Sequence, residues 1–363
     1  MKLHIILAIE SSCDETAASV VQDGQIVLSS VVASQIPLHA RYGGVVPEIA
    51  ARAHTEAILG VINQSLGDAF GKGSRFDQMK MIDVLAVTEK PGLTGSLLVG
   101  KSTAKALALV FNKPLIPVDH IMGHVYSNML TKLETRNMKL ETNENKKIQK
   151  NSNLDIISNF KFQISNFPLI TLVASGGHTE LILSRSHHNH AVISQTRDDA
   201  AGEAFDKVAT LLNLSYPGGP SVSQAAITGD ATIYPLPRGL SKSDSLDFSF
   251  SGLKTAVAQL VKHLQNDGVD INSVVPHIAA SFQASVVDSL VSKTVQAAEK
   301  YQVSSIGLAG GVAANTALRS AMHDVCLKNG IDFYTPSLEF CTDNAAMIGA
   351  AAFHMWQTNN GIE

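Results

Sequence analysis

The hydrophobic and polar positions of the chain form the same series twice. Residues 5–32 read as three apolar strands separated by a Ser-rich polar turn and a Gly turn, and residues 168–196 repeat this order with a Gly-Gly turn. A strand, a glycine loop, an Ala/Leu-rich helix and a short strand follow at 81–118 and again at 303–336. Such repeated series predict two α/β lobes that each contain a mixed sheet, with a cleft between them.

Two histidines follow the short strand of the first half. His120 and His124 are four residues apart, so they fall on one face of a predicted helix, at a spacing that suits a metal ion. The matching place in the second half carries Asp343, next to Thr342, the predicted N-cap of an Ala-rich helix. If the halves face each other, Asp343 completes a His/His/carboxylate set whose open positions are typical of catalytic metals. A chance histidine pair without a metal is the alternative, because the pair alone is a weak motif.

Three Gly-rich turns in the second half suggest a nucleotide site. They lie at 175–179, 216–221 and 308–315. Glycine lets a ligand approach the main chain, and a helix N-terminus beyond such a turn favours a phosphate. Each turn could be a plain strand connection, but together they favour a nucleotide. Asn315, predicted just inside the following helix, could bind a base or ribose, and Asp206 could bind a ribose hydroxyl, although an Asp on a surface helix is usually only solvated.

Composition and charge narrow the possible functions. The hydrophobic fraction of 45% and the charged fraction of 17% are those of an ordinary globular protein. The net charge of −4 carries no signature of an autonomous nucleic-acid binder, so any contact with DNA or RNA must be local or shared with a partner. Cys13, Cys326 and Cys341 are far apart, which argues against a disulfide framework. No apolar run approaches the roughly 20 residues of a membrane span. A cytoplasmic protein without membrane contact is expected.

Short motifs spread along nearly the whole chain resemble those of one family. They are IESSCDET, LHARYGGVVPEIAARAH, HIMGH, ASGGHTEL, DDAAGEAFDKVA, YPGGP, DFSFSGLKT, AGGVAAN and EFCTDNAAM. Together they resemble the bacterial and organellar TsaD family of tRNA adenosine threonylcarbamoyltransferases, formerly labelled O-sialoglycoprotein endopeptidases. The resemblance implies a two-lobed actin-like (ASKHA) fold of class α/β, with duplicated mixed-sheet domains and an active site between the lobes. The lobes are expected at 1–130 and 167–340, a polar insertion at 131–166, and a C-terminal helix with a metal ligand at 341–363.

The resemblance also implies a reaction. The family transfers the threonylcarbamoyl group of threonylcarbamoyl-AMP to the exocyclic amine of adenosine-37 in tRNAs that read codons starting with A, and releases AMP. One divalent metal, Fe(II) by resemblance with Zn as the alternative, would bind His120, His124 and Asp343. Glu15 or Asp14 could act as a base or orient the donor. The residues expected to bind the adenylate are Val173, Ala174, Ser175, Gly176, Gly177, Asp206, Gly219 and Asn315.

The implied partners are tRNA, a TsaB-like paralogue and a TsaE-like ATPase. The paralogue would dock on the first lobe through a helix within residues 44–66. The chain departs from the family pattern in three ways. Lys90 replaces a glycine in the loop TEKPGL, the Lys/Asn-rich stretch at 131–166 interrupts the series, and the sequence stops at Glu363 without an Arg-bearing tail. We expect the last difference to weaken contacts with tRNA or a partner.

Three other functions compete with this interpretation. A zinc metalloprotease needs the motif HExxH, and Ile121 occupies the position of its catalytic Glu. A non-catalytic actin-like partner that only binds nucleotide would lack the three ligands. A sugar kinase or an Hsp70-like ATPase shares the fold and would use ATP. The donor set accepts Fe, Zn or Mn, and the sequence does not indicate the oligomeric state.

Overall fold

The computed structural model of the chain describes residues 3–132, 167–240 and 244–359. Apart from its first two residues, the predicted insertion at 131–166 lies outside the described residues. The strands of the first half are β1 (Ile5–Glu10), β2 (Glu15–Gln22), β3 (Ile26–Ser34), β4 (Val84–Lys90), β5 (Leu115–Asp119) and β6 (Thr131–Lys132). Its helices are α1 (Ile36–His39), α2 (Pro47–Phe70), α3 (Arg75–Lys80), α4 (Thr94–Phe111) and α5 (His120–Ser127).

The second half repeats this arrangement. Its strands are β7 (Leu169–Ala174), β8 (Thr179–Ser186), β9 (Asn189–Gln195), β10 (Ser305–Ala309) and β11 (Asp332–Tyr334). Its helices are α6 (Ala201–Leu211), α7 (Gly218–Ala226), α8 (Ser251–Asn266), α9 (Ile271–Tyr301), α10 (Thr316–Asn329) and α11 (Ala345–Asn359).

The two sheets share one topology. The first has the order β5-β4-β1-β2-β3-β6, and the second has the order β11-β10-β7-β8-β9. In each sheet an antiparallel three-strand meander is extended by two parallel strands on the side of its first strand. The short strand β6 adds a parallel pair with β3. The predicted duplicated mixed-sheet α/β architecture is confirmed.

Helices cover both faces of the first sheet. One face packs on α2 and α4 around Leu7, Ile62 and Leu85. The other face packs on α11, which comes from the end of the described chain and buries Met347 and Ile348 against the sheet. Strands covered on both faces read as continuous apolar runs, as β1 does. The division into 1–130, 131–166, 167–340 and 341–363 remains a prediction.

The long helix α9 runs through the core of the second lobe. Among the described residues it is the one helix long and apolar enough to cross a membrane. Its most apolar window is 61% buried inside the protein, which is typical of the core helix of a soluble protein.

A stack of rings joins elements of both halves behind the cleft. The rings of His187, in the turn between β8 and β9, and His354, on α11, are 4.1 Å apart and nearly parallel. Tyr126 of α5 stacks on His354, and its hydroxyl donates a 2.7 Å hydrogen bond to the His187 carbonyl. Burial, together with the charges of neighbouring histidines, lowers the pKa of His354 to about 3 and that of His187 to about 4.

These histidines should make folding stability depend on pH. An unfolded histidine takes up a proton near pH 6.5, whereas His354 stays neutral in the folded protein until about pH 3. Its contribution is therefore complete above pH 6.5 and is lost as the pH falls, at about 1.4 kcal/mol per pH unit. We expect His354→Phe, which keeps a ring in the stack, to reduce the loss of stability between pH 6.5 and pH 5 by up to about 2 kcal/mol.

Calorimetric Tm values at several pH values would measure this effect. The readout is the slope of Tm against pH and not the Tm itself, because the substitution also changes packing. His263→Phe, at an exposed position of α8, is the control and should leave the slope unchanged. Parallel profiles for the wild type and His354→Phe would contradict the prediction.

Candidate active site

The helix α5 begins at His120 because the residue before it is an N-cap. The Asp119 carboxylate accepts hydrogen bonds from the backbone N–H groups of Ile121, at 3.0 Å, and Met122, at 3.3 Å. The helix therefore starts directly after β5, at the edge of the sheet that faces the second lobe. His120 and His124 lie one turn apart on its buried face, with 6% and 0% of their surface exposed.

Asp343 lies just before α11 and not within it. The cap of this helix is Asn344, whose side-chain oxygen accepts a 2.9 Å hydrogen bond from the Met347 N–H. The prediction that Thr342 caps the helix is wrong. Thr342 lies two residues further from the first turn, and its carbonyl accepts a hydrogen bond from the Asn344 side chain instead. The result is a fixed turn from which the Asp343 side chain points toward α5.

The structure brings the three predicted metal ligands together. Asp343 Oδ1 lies 3.5 Å from His120 Nε2 and 3.2 Å from His124 Nε2. One ligand atom from each of the three residues lies within 4.8 Å of the other two. Burial opposes ionisation, but the two imidazoles hold the pKa of Asp343 well below its usual range. Burial would also lower the pKa of His120, and the Asp343 and Glu10 carboxylates raise it well above its ordinary value.

The hydrogen bonding of both histidines fits a bound cation. A carboxylate can only accept, so His120 Nδ1 carries the proton that it donates to Glu10 Oε2 at 3.0 Å, and in the neutral ring that a metal requires, Nε2 has the lone pair. His124 is fully buried, and neither of its ring nitrogens makes a hydrogen bond of proper geometry with the part of the chain that the structure describes. Burying polar atoms without a partner is costly, and a divalent cation held by Asp343 and His124 Nε2 would supply a partner for that nitrogen.

Glu10 is a site residue that the sequence interpretation missed. It ends β1, and its fully buried carboxylate accepts hydrogen bonds from the Ser12 N–H at 2.5 Å and from Thr88 Oγ1 at 2.6 Å. Ser12 Oγ also lies 3.2 Å from His120 Nδ1. An acidic residue at the end of an apolar run such as IILAIE was the available signal, because a buried carboxylate needs partners.

The turn after β7 presents its main chain to the cleft. Val173 and Ala174 have buried side chains, so only their backbone could reach a ligand. The Ser175 N–H donates to the His178 carbonyl at 2.8 Å, which closes the turn. Gly176 and Gly177 are exposed, and a side chain added at either would meet nothing within 4 Å. The open space above them would admit an adenylate.

The remaining predicted adenylate residues lie around the start of α7. Asp206 Oδ1 accepts a 2.7 Å hydrogen bond from the Gly218 N–H, and burial raises its pKa. Gly219 borders open space. Asn315 is the N-cap of α10 and not a residue inside the helix, because its oxygen accepts from the Leu318 N–H at 3.0 Å. Its side-chain nitrogen donates to Ser223 and Gln283, so both polar atoms already have protein partners.

Asp14 lies in the turn between β1 and β2, and Glu15 is the first residue of β2. This acidic turn lies between the metal ligands and the residues around the start of α7. Burial raises the pKa of Glu15 to about 10, assisted by the negative charges of Asp343 and Asp14. The charge of Asp14 in turn acts on Asp206 across the cleft, where it adds to burial in raising that pKa. The acidic turn therefore lies near Asp343 on one side and near Asp206 on the other.

Lys90 replaces a glycine of the family pattern at an exposed position. It is the exposed last residue of β4. The close approach to the acidic turn is made two residues later by Gly92, where an added side chain would stand 2.6 Å from the Ser12 carbonyl oxygen.

Comparison with known proteins identifies relatives of the whole chain. Residues 26–138 and 151–350 match the family model described as TsaD, tRNA N6-adenosine threonylcarbamoyltransferase. The protein of that name from Staphylococcus epidermidis is 45% identical over 353 residues, which are 97% of this chain and 92% of the relative. The one from Halalkalibacterium halodurans is 47% identical over 349 residues, covering 96% of this chain and 90% of the relative.

Solved structures show the fold alone. A full-length HypF aligns with 98% of this chain and 46% of its own, with a TM-score of 0.56 and 12% identity. HypF from T. kodakarensis aligns with 99% of this chain and 48% of its own, with a TM-score of 0.57 and 13% identity. The expected two-lobed actin-like (ASKHA) architecture is confirmed.

Glu10 should control the affinity of the candidate site for a metal. Glu10→Gln removes the charge that holds the Nδ1 proton of His120, so we expect metal affinity to fall about 10- to 100-fold. Competition between the protein and a coloured chelator for Zn(II), and for Fe(II) without oxygen, would measure it. Glu48→Gln, at an exposed position of α2, is the matched control. Unchanged affinity in a folded Glu10→Gln protein would contradict this role.

Proposed function

Because the chain belongs to the TsaD family of tRNA N6-adenosine threonylcarbamoyltransferases, we propose that the cleft between its lobes performs the transfer step. The protein is a tRNA-modifying transferase. The observation that supports this location is the convergence of His120, His124 and Asp343 beside the Gly-rich turn of the second lobe. His178 ends that turn, and its pKa is lowered by burial and by the charges of His120 and His124.

The ring nitrogens of His120 and His124 and the carboxylate of Asp343 would hold one divalent cation. Fe(II) is the proposed metal by family resemblance, and Zn(II) is the alternative, since two imidazoles and a carboxylate accept both. When bound, the cation supplies a Lewis acid that polarises a carbonyl group of the donor. Glu10 keeps the His120 ring in the tautomer that this site requires.

The proposed donor is threonylcarbamoyl-AMP, and the second lobe would bind its adenylate through the main chain. The Ser175 N–H is taken by the His178 carbonyl, so Gly176, Gly177 and the start of α7 at Gly219 would offer the backbone N–H groups and open space that suit a phosphate. Asp206 already accepts the Gly218 N–H with one oxygen, so its other oxygen would be the one to contact a ribose hydroxyl. Val173, Ala174 and Asn315 would contribute backbone atoms and shape.

The acidic turn would act on the attacking amine or on the donor. The amine nitrogen of adenosine bonds to the carbamoyl carbon, the bond from that carbon to the AMP phosphate oxygen breaks, and the amine loses a proton. With a pKa of about 10, Glu15 is neutral at pH 7 and can donate a hydrogen bond that orients the donor. It can accept the amine proton only when positive charge beside Asp343 lowers that pKa. Asp14 is the alternative base.

Helper proteins are part of the proposal. A net charge of −4 gives little general attraction for tRNA, since phosphate neutralisation supplies much of nucleic-acid affinity. A TsaB-like paralogue would dock on α2, where Ile58 and Ile62 are buried in the core and Leu59 is 61% exposed. A TsaE-like ATPase would complete the system, and all of these proteins would work in the cytoplasm.

The competing functions lack support at the site. Ile121 stands where a metalloprotease needs its catalytic Glu, and Glu10 contacts the ring of His120 instead of facing a substrate. A partner that only binds nucleotide would not need the three converging ligands. A kinase or ATPase of this fold would use ATP, whereas the proposed enzyme uses threonylcarbamoyl-AMP, so an assay with each compound distinguishes the two functions.

Removing any one ligand should abolish both metal binding and transfer. We expect His120→Ala, His124→Ala and Asp343→Ala to lose bound metal and to reduce transfer at least 100-fold, whereas His178→Ala has a smaller effect. Elemental analysis of purified variants and a tRNA modification assay would measure the two quantities. His263→Ala, on the exposed face of α8, is the control. Full metal occupancy in the Asp343 variant would refute a site shared between the two halves.

The donor and the helpers can be tested in one assay. With tRNA and the paralogue present, we expect threonylcarbamoyl-AMP to give modified tRNA and one AMP per transfer, and ATP to give neither. The chain alone should transfer at least tenfold more slowly at the same salt concentration, because its charge attracts tRNA weakly. Transfer from ATP alone would refute the proposed donor, and an equal rate without the paralogue would refute the need for it.

A further inference from the structure

A buried histidine of α2 contacts both ends of the acidic turn. His54 has no exposed surface. Its Nε2 lies 3.0 Å from the Cys13 carbonyl oxygen, and its Nδ1 lies 2.8 Å from Thr16 Oγ1. Cys13 and Thr16 flank Asp14 and Glu15. The ring of His54 therefore holds the residue before and the residue after the two carboxylates.

The partners determine which nitrogen of His54 carries the proton. The Cys13 carbonyl can only accept, so Nε2 is the donor. In the neutral ring Nδ1 is then an acceptor, and it accepts from the Thr16 hydroxyl. Burial lowers the pKa of His54, which favours this neutral form. The ring can therefore sit in only one orientation, because Cys13 offers an acceptor to the Nε2–H and Thr16 offers a donor to Nδ1.

Other elements also hold the main chain of the turn. The Leu93 N–H donates to the Ser12 carbonyl at 2.7 Å, and the Gln35 N–H donates to the Asp14 carbonyl at 2.9 Å. Ser96 Oγ lies 3.4 Å from the Cys13 carbonyl that His54 also contacts. The backbone of the turn is thus fixed from the protein side, and the Glu15 carboxylate accepts a 3.4 Å hydrogen bond from Ser34 Oγ of β3.

We propose that His54 is a positioning residue for the transfer reaction, which holds the turn 13–16 so that Asp14 and Glu15 face the donor between Asp343 and Asp206. This inference rests on the proposed function, because it assumes that the acidic turn touches the donor or the amine. His54 itself touches neither. A displacement of about 1 Å at a reacting group can cost about 100-fold in rate, so an effect on kcat is expected without a change of chemistry.

Substitutions can separate the two hydrogen bonds of the ring. Gln has an amide N–H at about the distance of Nε2, so His54→Gln can keep the bond to Cys13. Asn is shorter and places its amide near Nδ1, so His54→Asn can keep only the bond to Thr16. His54→Leu loses both and leaves two buried polar groups without partners. Ser65→Ala is the matched control, since Ser65 is a buried polar residue of the same helix that bonds Ser29 of β3 far from the turn.

The test measures kcat, the KM for tRNA, the metal content and Tm with threonylcarbamoyl-AMP, tRNA and the paralogue. We expect His54→Leu to lower kcat about 100-fold, with metal content and the KM for tRNA within twofold of wild type. The kcat of His54→Gln should be at least tenfold higher than that of His54→Leu. Ser65→Ala should lower Tm and leave kcat unchanged. An unchanged kcat in His54→Leu, or a loss explained fully by lost metal or a raised KM, would overturn the proposal.

A triple substitution shows whether His54 acts through the turn. In an Asp14→Asn, Glu15→Gln background, adding His54→Leu should lower kcat less than threefold further, because the groups that it positions are already lost. A full 100-fold further loss would overturn the proposal by showing that His54 acts elsewhere. Failure of the proposed function looks different, since the wild type itself would then give no transfer from threonylcarbamoyl-AMP.

Discussion

The close packing of α5 against α11 is the constraint on which the candidate site depends. Gly123 lies between the two histidines of HIMGH, and a side chain there would stand 2.8 Å from Ile348 of α11. Gly349 makes the same kind of approach to Val21 of the first sheet. Because these positions lack side chains, the last helix can lie on the sheet of the first lobe, and Asp343 reaches both imidazoles. A larger residue at Gly123 would separate the helices and with them the ligands.

This packing concentrates negative charge in a buried space. Asp343 and Glu10 both contact His120, and the charge of Asp343 adds to burial in raising the pKa of Glu15 to about 10. Such a cluster is costly without a positive partner, which the imidazolium of His120 or a divalent cation can provide. The same charges therefore favour a cation at the ligands and hold the nearby carboxyl neutral, so cation binding and the protonation of Glu15 are coupled.

The sequence predicted the features that follow from repetition and spacing. The repeated apolar series indicated two similar mixed sheets, and the matching places of the two ligand segments in the two halves indicated that Asp343 joins the histidines. It did not predict that the Glu10 carboxylate would be buried, or which polar side-chain atoms would already have hydrogen-bond partners within the protein. Glu10 was missed because its role comes from long-range contacts, and Asn344 replaced Thr342 as the cap because core packing fixes where α11 begins. Asn315 likewise binds Ser223 and Gln283, which lie far away in the sequence.

The two lobes contribute different kinds of chemistry to one cleft. The first lobe supplies side chains whose positions are fixed by buried hydrogen bonds, as Glu10 fixes His120 and His54 bridges the acidic turn. The second lobe supplies main chain and empty space at Gly176, Gly177 and Gly219. Backbone N–H groups remain when a side chain is replaced. Substitution by alanine would therefore impair the side chains of the first lobe and leave the main-chain contacts of the second lobe intact. At the glycines the informative substitution is a larger residue, which would fill the space proposed for the adenylate.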